Sequence, residues 1–450
     1  MKLKHNLKLY KFQVEGVNFI EKNNGNVIIA DEMGLGKSIE ALVYLYNNPD
    51  LRPAIIVCPT SLKYNWYKEA KKWLDNTENI IIIDKKIKYR LDNYTTIIIN
   101  YELISKYIKY LKKLQFEVMI LDESHYVKNI LALRTKYIIS LSKGIPHKLL
   151  LSGTPMTNSI SDIWTQLNII NPNEYNDYTG FVNRYSNIKT SYGITRYIGV
   201  KNEKELHSKL NKVMINRKKS EVLVQLPLKR RMYLPLPIVN RKEYNNLSVQ
   251  TVDNIKERKE QNMSSQKLRI YALSRFELLK QAAIRGKLPY IIEWINTFLY
   301  ATDEKLVIFA SHNNIINILY NKYRNIAVKY HGLDKIEDRN KSVVSFNKNP
   351  KIRLFIGSIH TASLGITLAS ASIAIIIELG WTPSTMIQSE DRLHRIGQKH
   401  NVDIYYLLAK DTIDEKIASI LEEKSECIGS VMDGAKKNNY KLLDKLIDQI

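Results

Sequence analysis

The sequence predicts an α/β protein built from two parallel-sheet lobes with a helical protrusion between them. Three observations lead there. Short apolar runs alternate with helical stretches from Asn26 to Leu151. The rhythm breaks over 171–300, where the chain turns polar, basic and helix-rich. It returns from Lys305 onward. The runs are continuous rather than alternating, which is the pattern of strands buried on both faces.

Taken in order, residues 5–22 read as an amphipathic helix that contains Gln13. Val27–Ala30 is a short strand, followed by a loop with Gly34 and Gly36, then Lys37-Ser38 and the helical pattern IEALVYLY. Further strands are expected at Ala54–Cys58, Ile80–Ile83, Thr96–Asn100, Val118–Leu121 and Leu149–Leu151, with helices at Leu62–Leu74 and Glu102–Leu114 between them. The stretch 219–238 contains three prolines and reads as an extended connector, and 241–285 as long surface helices. The second set of strands is Leu306–Ala310, Ile326–Tyr330, Ile352–Ile356, Ile373–Ile377 and Val402–Leu408. The expected boundaries are therefore a first lobe at 1–215, a linker and protrusion at 216–300, a second lobe at 301–410 and terminal helices at 411–450.

Composition narrows the classes of function. The chain has 450 residues, 44% of them hydrophobic, enough for several packed domains. Lys+Arg number 68 against 45 Asp+Glu, a formal net charge of +23, which favours a polyanionic partner. The two cysteines, Cys58 and Cys427, support neither a disulfide framework nor a zinc module. No signal peptide and no apolar run of about 18 residues is visible, so a soluble, intracellular protein without a membrane span is expected.

The stretch NVIIADEMGLGKS (26–38) combines strand, glycine loop, Gly-Lys-Ser and helix, the layout of a phosphate-binding loop. Glycines let backbone N–H groups approach phosphate oxygens, and the helix N-terminus adds partial positive charge. Lys37 would meet the β- and γ-phosphates, and the Ser38 hydroxyl would ligate Mg²⁺. Asp31 stands where the first glycine of the pattern is usual. A second stretch, EVMILDESH (117–125), ends an apolar run in Asp122 and Glu123. One acid there can hold the metal and its neighbour can polarise the attacking water. Each stretch alone has a plainer reading, an ordinary strand-to-helix turn or an acidic helix start. Together they favour nucleotide hydrolysis.

In the second lobe, WTPSTMIQSEDRLHRIGQ (381–398) opens with Pro383, suited to a helix start, and closes with Gly397, suited to its end. Gln388, Arg392 and Arg395, at i, i+4 and i+7, share one face of that expected helix. Such arginines can stabilise γ-phosphate charge, and the same spacing fits a solvated basic face. TASLGI (361–366) and SGTP (152–155) are loops after strands that fit phosphate-backbone contacts or ordinary turns.

In sum, DEMGLGKS, DESH, LLLSGTPMTNS, TASLGITLASA and QSEDRLHRIGQ resemble, in this order, motifs I, II, III, V and VI of superfamily 2 helicases, specifically the Swi/Snf-like DNA translocases. LYKFQVEGVNFI is similar to the Q motif, AIIVCPTSLKYNW to motif Ia and KLVIFASHN to motif IV. MINRKKSEVLVQLPLKRR resembles the stretch joining two RecA-like lobes. The wording is nearest the annealing-helicase and fork-remodelling branch. Two departures stand out, Ser124 in the DExH box and SGTPMTNS, which lacks the glutamine-containing form of motif III.

That resemblance implies ATP and Mg²⁺ as cofactors. ATP would lie on Ala30, Asp31, Glu32, Met33, Gly34, Leu35, Gly36, Lys37 and Ser38, with Gln13 reading adenine and Gly365 and Gln388 contributing from the second lobe. Ser38 and Asp122 would hold the metal. Lys37, Asp122, Glu123 and the finger arginines Arg392 and Arg395 would be catalytic. Lys63, Thr154, Ser311 and Thr361 fall in motifs that touch the nucleic-acid backbone. The implied activity is ATP-driven translocation on duplex or branched DNA, in fork remodelling, branch migration or strand annealing. An RNA-dependent helicase and an ATP-switched transcription factor are the alternatives. A compact motor of this kind suits a virus or bacteriophage.

Overall fold

The structure, a computed structural model, describes residues 4, 7–84, 90–156, 160–191, 194–198, 201–223, 225–261, 263–363, 365–432 and 446. The chain separates into two compact units, built mainly on Met1–Val224 and Gln225–Cys427. Each has its own parallel sheet.

In the first unit the strands are β1 (Asn26–Ile29), β2 (Ala54–Cys58), β3 (Ile80–Ile82), β4 (Thr96–Asn100), β5 (Val118–Asp122) and β6 (His147–Leu151). A hairpin, β7 (Asn187–Ser191) and β8 (Ile194–Ile198), stands apart from that sheet, and the two-residue β9 (Met214–Ile215) completes it. The sheet order is β3-β4-β2-β5-β6-β1-β9, and every pairing in it is parallel. Helices α1 (Lys11–Lys22), α2 (Lys37–Asn47), α3 (Lys63–Trp73), α4 (Tyr101–Leu111), α5 (Leu133–Ser142) and α6 (Ser161–Ile170) connect or flank the strands. Residues such as Ile28, Ile55, Val57, Ile97, Ile99, Ile120 and Leu150 are fully enclosed. Each contributes roughly 1.5–3 kcal/mol relative to exposure, which is why these runs were legible as strands.

The second unit holds β10 (Lys229–Leu236), β11 (Leu306–Ala310), β12 (Ala327–Tyr330), β13 (Leu354–Ser358), β14 (Ile373–Ile376) and β15 (Val402–Ala409). Their order is β10-β15-β14-β11-β13-β12, again all parallel. Two sheets of this kind, wrapped by helices, agree with the expected pair of RecA-like lobes.

Several expectations need correction. The proline-bearing connector is in part a strand, since Lys229–Leu236 pairs with β15 along its whole length. It sits at the sheet edge, the position where Pro235, lacking a donor, is tolerated. The polar region also contains the β7–β8 hairpin. The long helices are not merely superficial. Ile255 of the Arg241–Glu260 helix and Ala272, Phe276, Leu279, Ala282 and Ile291 of the Ser265–Ala301 helix are buried in the second unit's core. Gly286 permits this close approach, because a Cβ there would lie 2.8 Å from that of Ile238. Of the terminal helices, Ile413–Met432 is seen, and residues 433–445 and 447–450 lie outside the described residues.

Candidate nucleotide site and its counterpart in the second lobe

The carboxyl edge of the first sheet collects the expected catalytic groups. Asp122 at the end of β5 is level with Leu151 of β6, which is level with Ile29 of β1. Glu123, Ser152 and Ala30 therefore leave the sheet together, at the edge where parallel α/β sheets take ligands.

Gly34 and Gly36 of the loop have φ of +89° and +92°, a region that side chains rarely adopt. Gly36 caps α2 in that left-handed conformation, placing Lys37 and Ser38 in the first turn. The Lys37 ammonium donates to the Asp31 carbonyl at 2.7 Å. A helix N-terminus with a lysine at its head is an anion site. Gln13 of α1 donates through Nε2 to the Leu35 carbonyl at 3.0 Å and accepts from the Tyr10 N–H at 3.0 Å. Its amide thus ties α1 to the loop. The Met33 and Leu35 side chains are buried, so these residues offer the loop's open side only backbone.

Asp31 and Glu32 turn their carboxylates to basic residues of the chain. Asp31 is wholly buried and accepts from Arg217 Nε at 3.0 and 2.9 Å and from the Arg217 N–H at 3.0 Å. The same guanidinium donates to Glu40 at 2.7 Å and to the Phe12 carbonyl. Glu32 accepts from the Lys219 N–H at 2.7 Å. Desolvation forces this arrangement, because a buried carboxylate is stable only when paired. Burial, and then Asp31, push the Glu40 carboxyl well above the usual range, with Arg217 opposing them.

The acid pair is equally constrained. Asp122 Oδ2 accepts from Trp66 Nε1 at 2.7 Å, and its Oδ1 from the Glu123 N–H at 3.0 Å. Burial, and then the neighbouring Glu123 carboxylate, push Asp122 up to about 6. Glu123 has φ of +51°, and its Oε2 lies 3.3 Å from His125 Nδ1. That nitrogen is 3.1 Å from Ser152 Oγ, which accepts from the Thr154 N–H at 3.2 Å. Ser124, the departure in the box, donates to Gln166 Oε1 at 2.6 Å, and Gln166 Nε2 donates to the Pro155 carbonyl at 2.7 Å. Two hydrogen-bonded links therefore join the DESH turn to the SGTP loop.

Among the described residues no group of three or more His, Cys, Asp or Glu is arranged to hold a metal. The Ser38 hydroxyl and Asp122 carboxylate nevertheless fit Mg²⁺, which takes few protein oxygens and fills its shell with phosphate and water. A buried carboxylate such as Asp122, whose proton affinity burial and the neighbouring Glu123 raise, is a donor that a hard cation relieves.

In the second unit the helix expected to carry the arginines stops early. It spans Pro383–Glu390, with Thr382 capping its start, and Arg392 and Arg395 follow in turns. They do not share a helix face with Gln388. Where the helix stops, Glu390, fully buried, is gripped by Arg231 Nε at 2.6 Å and Lys229 Nζ at 2.9 Å, and Asp391 by Lys229 at 3.2 Å. The arginines still converge. Arg395 donates to the Ile366 carbonyl at 3.1 Å and to Thr367 Oγ1 at 2.7 Å, while Arg392 lies 3.4 Å from the same Ile366 carbonyl and donates to the Gln388 carbonyl at 3.0 Å. Gly365, with φ of +69°, makes the turn that presents Ile366. Leu364 and Thr157–Ser159, within the quoted motifs, lie outside the described residues.

The four expected nucleic-acid contacts fare differently. Lys63 is buried, donating to the Ile83 carbonyl at 3.0 Å and paired with Asp84 at 2.5 Å. The Thr154 and Ser311 hydroxyls are enclosed, and Ser311 donates its N–H to Glu378 at 2.8 Å. Thr361 is half-buried just beyond β13.

The chain's relationships accord with this geometry. Residues 12–282 match the SNF2-related domain, and 286–397 match the helicase conserved C-terminal domain. This chain belongs to the SNF2-related family. It is 33% identical over 448 residues to the DNA annealing helicase and endonuclease ZRANB3 of Homo sapiens, covering 96% of this chain and 41% of that protein. It is 32% identical over 455 residues to the Caenorhabditis elegans homologue of "SWI/SNF-related matrix-associated actin-dependent regulator of chromatin subfamily A-like protein 1", covering 98% of this chain and 64% of that one. The chain thus spans less than two thirds of either relative. A solved Sulfolobus solfataricus SWI2/SNF2 ATPase core in complex with dsDNA aligns with TM-score 0.46 and 23% identity, over 95% of this chain and 94% of that one.

Trp66 ends the motif Ia stretch, and Arg217, Lys229 and Arg231 lie in the joining stretch, but neither motif names the acids they hold. The one hint is Asp31 in a glycine's place, a charge that needed a partner, found 186 residues away.

Proposed function

We propose that this SNF2-related chain is an ATP-driven motor on duplex or branched DNA, of the annealing or fork-remodelling type. The observation that carries it is the grouping of Lys37, Ser38, Asp122 and Glu123 at one sheet edge. The arginine pair held on a single carbonyl in the second unit supports it. The similarity to a protein named an annealing helicase favours this branch. In this reading Lys37 and the α2 N-terminus bind phosphates, and Ser38 and Asp122 hold Mg²⁺, which neutralises phosphate charge when bound. Glu123 orients and deprotonates the attacking water. Arg392 and Arg395 stabilise charge on the γ-phosphate, and the surplus of basic residues follows the DNA backbone. No helix among the described residues is long and apolar enough to cross a membrane.

The test is ATP turnover with single-stranded, duplex, forked and four-way DNA and with RNA. Stimulation by duplex or branched DNA is expected, and stimulation by RNA alone would replace this reading with an RNA-dependent one. Glu123→Gln keeps the side chain's shape but cannot take a proton. It should bind ATP and fail to turn it over; weakened ATP binding with hydrolysis of the ATP that is held would overturn the roles given to Asp122 and Glu123. With a formal charge of +23, DNA affinity should fall steeply with salt. Flat affinity between low and physiological salt, measured by fluorescence anisotropy, would argue against backbone tracking.

A further inference from the structure

The segment from Ile215 to Leu236 is covalently the joint between the two units, and Arg217, Lys229 and Arg231 along it are each paired with buried acids. At its start, the backbone runs beside the phosphate loop. The Ala30 N–H donates to the Ile215 carbonyl at 2.7 Å, and the Glu32 N–H to the Arg217 carbonyl at 3.0 Å. Between these bonds, the Arg217 side chain grips the carboxylate of Asp31, whose own carbonyl receives the Lys37 ammonium. Arg217 is 7% exposed and stacks over Phe12 of α1 at 5.4 Å. At the segment's end, Lys229 and Arg231 of β10 hold Glu390 and Asp391, the two residues immediately before Arg392. Tyr406 of β15 adds a hydrogen bond to Glu390 at 2.6 Å. Burial alone would raise the Glu390 carboxyl; Lys229 and the two-pronged Arg231 outweigh it and hold it below the usual carboxylate range.

We infer that the joint is a two-ended tie, in which Arg217 positions Lys37 through Asp31 and Lys229 with Arg231 positions Arg392 and Arg395 through Glu390 and Asp391. The two ends are independent in structure, each lying within its own unit. Each of these basic residues acts through a neighbouring acid. The geometry distinguishes guanidinium from ammonium at position 217. Its Nε and backbone N–H meet Asp31 while another N–H meets Glu40, an arrangement lysine cannot reproduce. The functional consequence rests on the proposed ATPase reading, but the positioning claim does not.

The experiment uses the full chain and two kinds of readout. Amide hydrogen exchange without nucleotide reads positioning directly. Arg217→Lys, which keeps the buried charge, should speed exchange in 31–37 on the order of tenfold or more and leave 390–398 unchanged. Lys229→Met should do the reverse. Where Lys229→Met does not fold, Arg231→Gln replaces it, since Arg231 is more exposed and leaves Lys229 on both acids. The second readout separates binding from turnover. Arg217→Lys should weaken binding of a fluorescent ATP analogue, whereas the β10 variant should keep binding and lower DNA-stimulated kcat. A merely structural role would lower both together, in proportion to folded protein. Folded variants with parental exchange in both segments would overturn the inference. If the parent chain showed no ATP turnover, the ATPase reading would fail while the exchange result still decided the positioning claim.

Discussion

Replacing Arg395 by alanine is expected to lower ATP turnover on the order of 10³-fold, the typical size for an arginine finger. Arg395 lies in the unit without a phosphate loop, held by the Ile366 carbonyl and Thr367. A charge with only that surface role contributes little, and its loss should barely register. A finger behaves otherwise, because it meets the γ-phosphate only in the closed, reacting state. ATP binding should weaken far less than turnover, since Lys37 and the α2 N-terminus hold most of the nucleotide. Stimulation by DNA should vanish too, as the proposed two-lobe mechanism requires. Steady-state assays of the purified variant, with and without duplex DNA, decide this. Near-normal, DNA-stimulated turnover would remove Arg395 from the machinery.

Lys37→Ala should be as severe. The variant loses the ammonium at the head of α2 that, in the proposed function, meets the β- and γ-phosphates, so turnover should fall by orders of magnitude. The fold should survive, because Lys37 is only half-buried and its hydrogen bond is to a loop carbonyl. DNA binding should largely persist, since the basic surface is untouched. Parental turnover in this variant would dismiss the nucleotide site at 30–38.

Most of the fold could be read from the sequence because parallel strands buried on both faces must be continuous apolar runs. Ala54–Cys58, Thr96–Asn100 and Leu306–Ala310 end at the expected residues. What escaped had no such signature. β10 is a charged edge strand with a proline inside it, β9 is two residues long, and the β7–β8 hairpin lies in polar sequence. The phosphate loop and acid pair were legible because their chemistry is local, fixed by neighbours in the chain. The anchors were not, because they are tertiary. Asp31 finds Arg217, Asp122 finds Trp66, and Glu390 finds Arg231 across 186, 56 and 159 positions. The Pro383–Glu390 helix likewise ends before the arginines, at the acids those distant bases hold.

The central claim, that ATP hydrolysis moves this chain along DNA, is tested most directly by displacement of a third strand from a duplex carrying a triplex. The parent protein should release that strand in the presence of ATP and Mg²⁺, and Lys37→Ala should not. ATP hydrolysis stimulated by the duplex with no strand released would contradict translocation and leave a nucleotide-switched DNA-binding protein in its place.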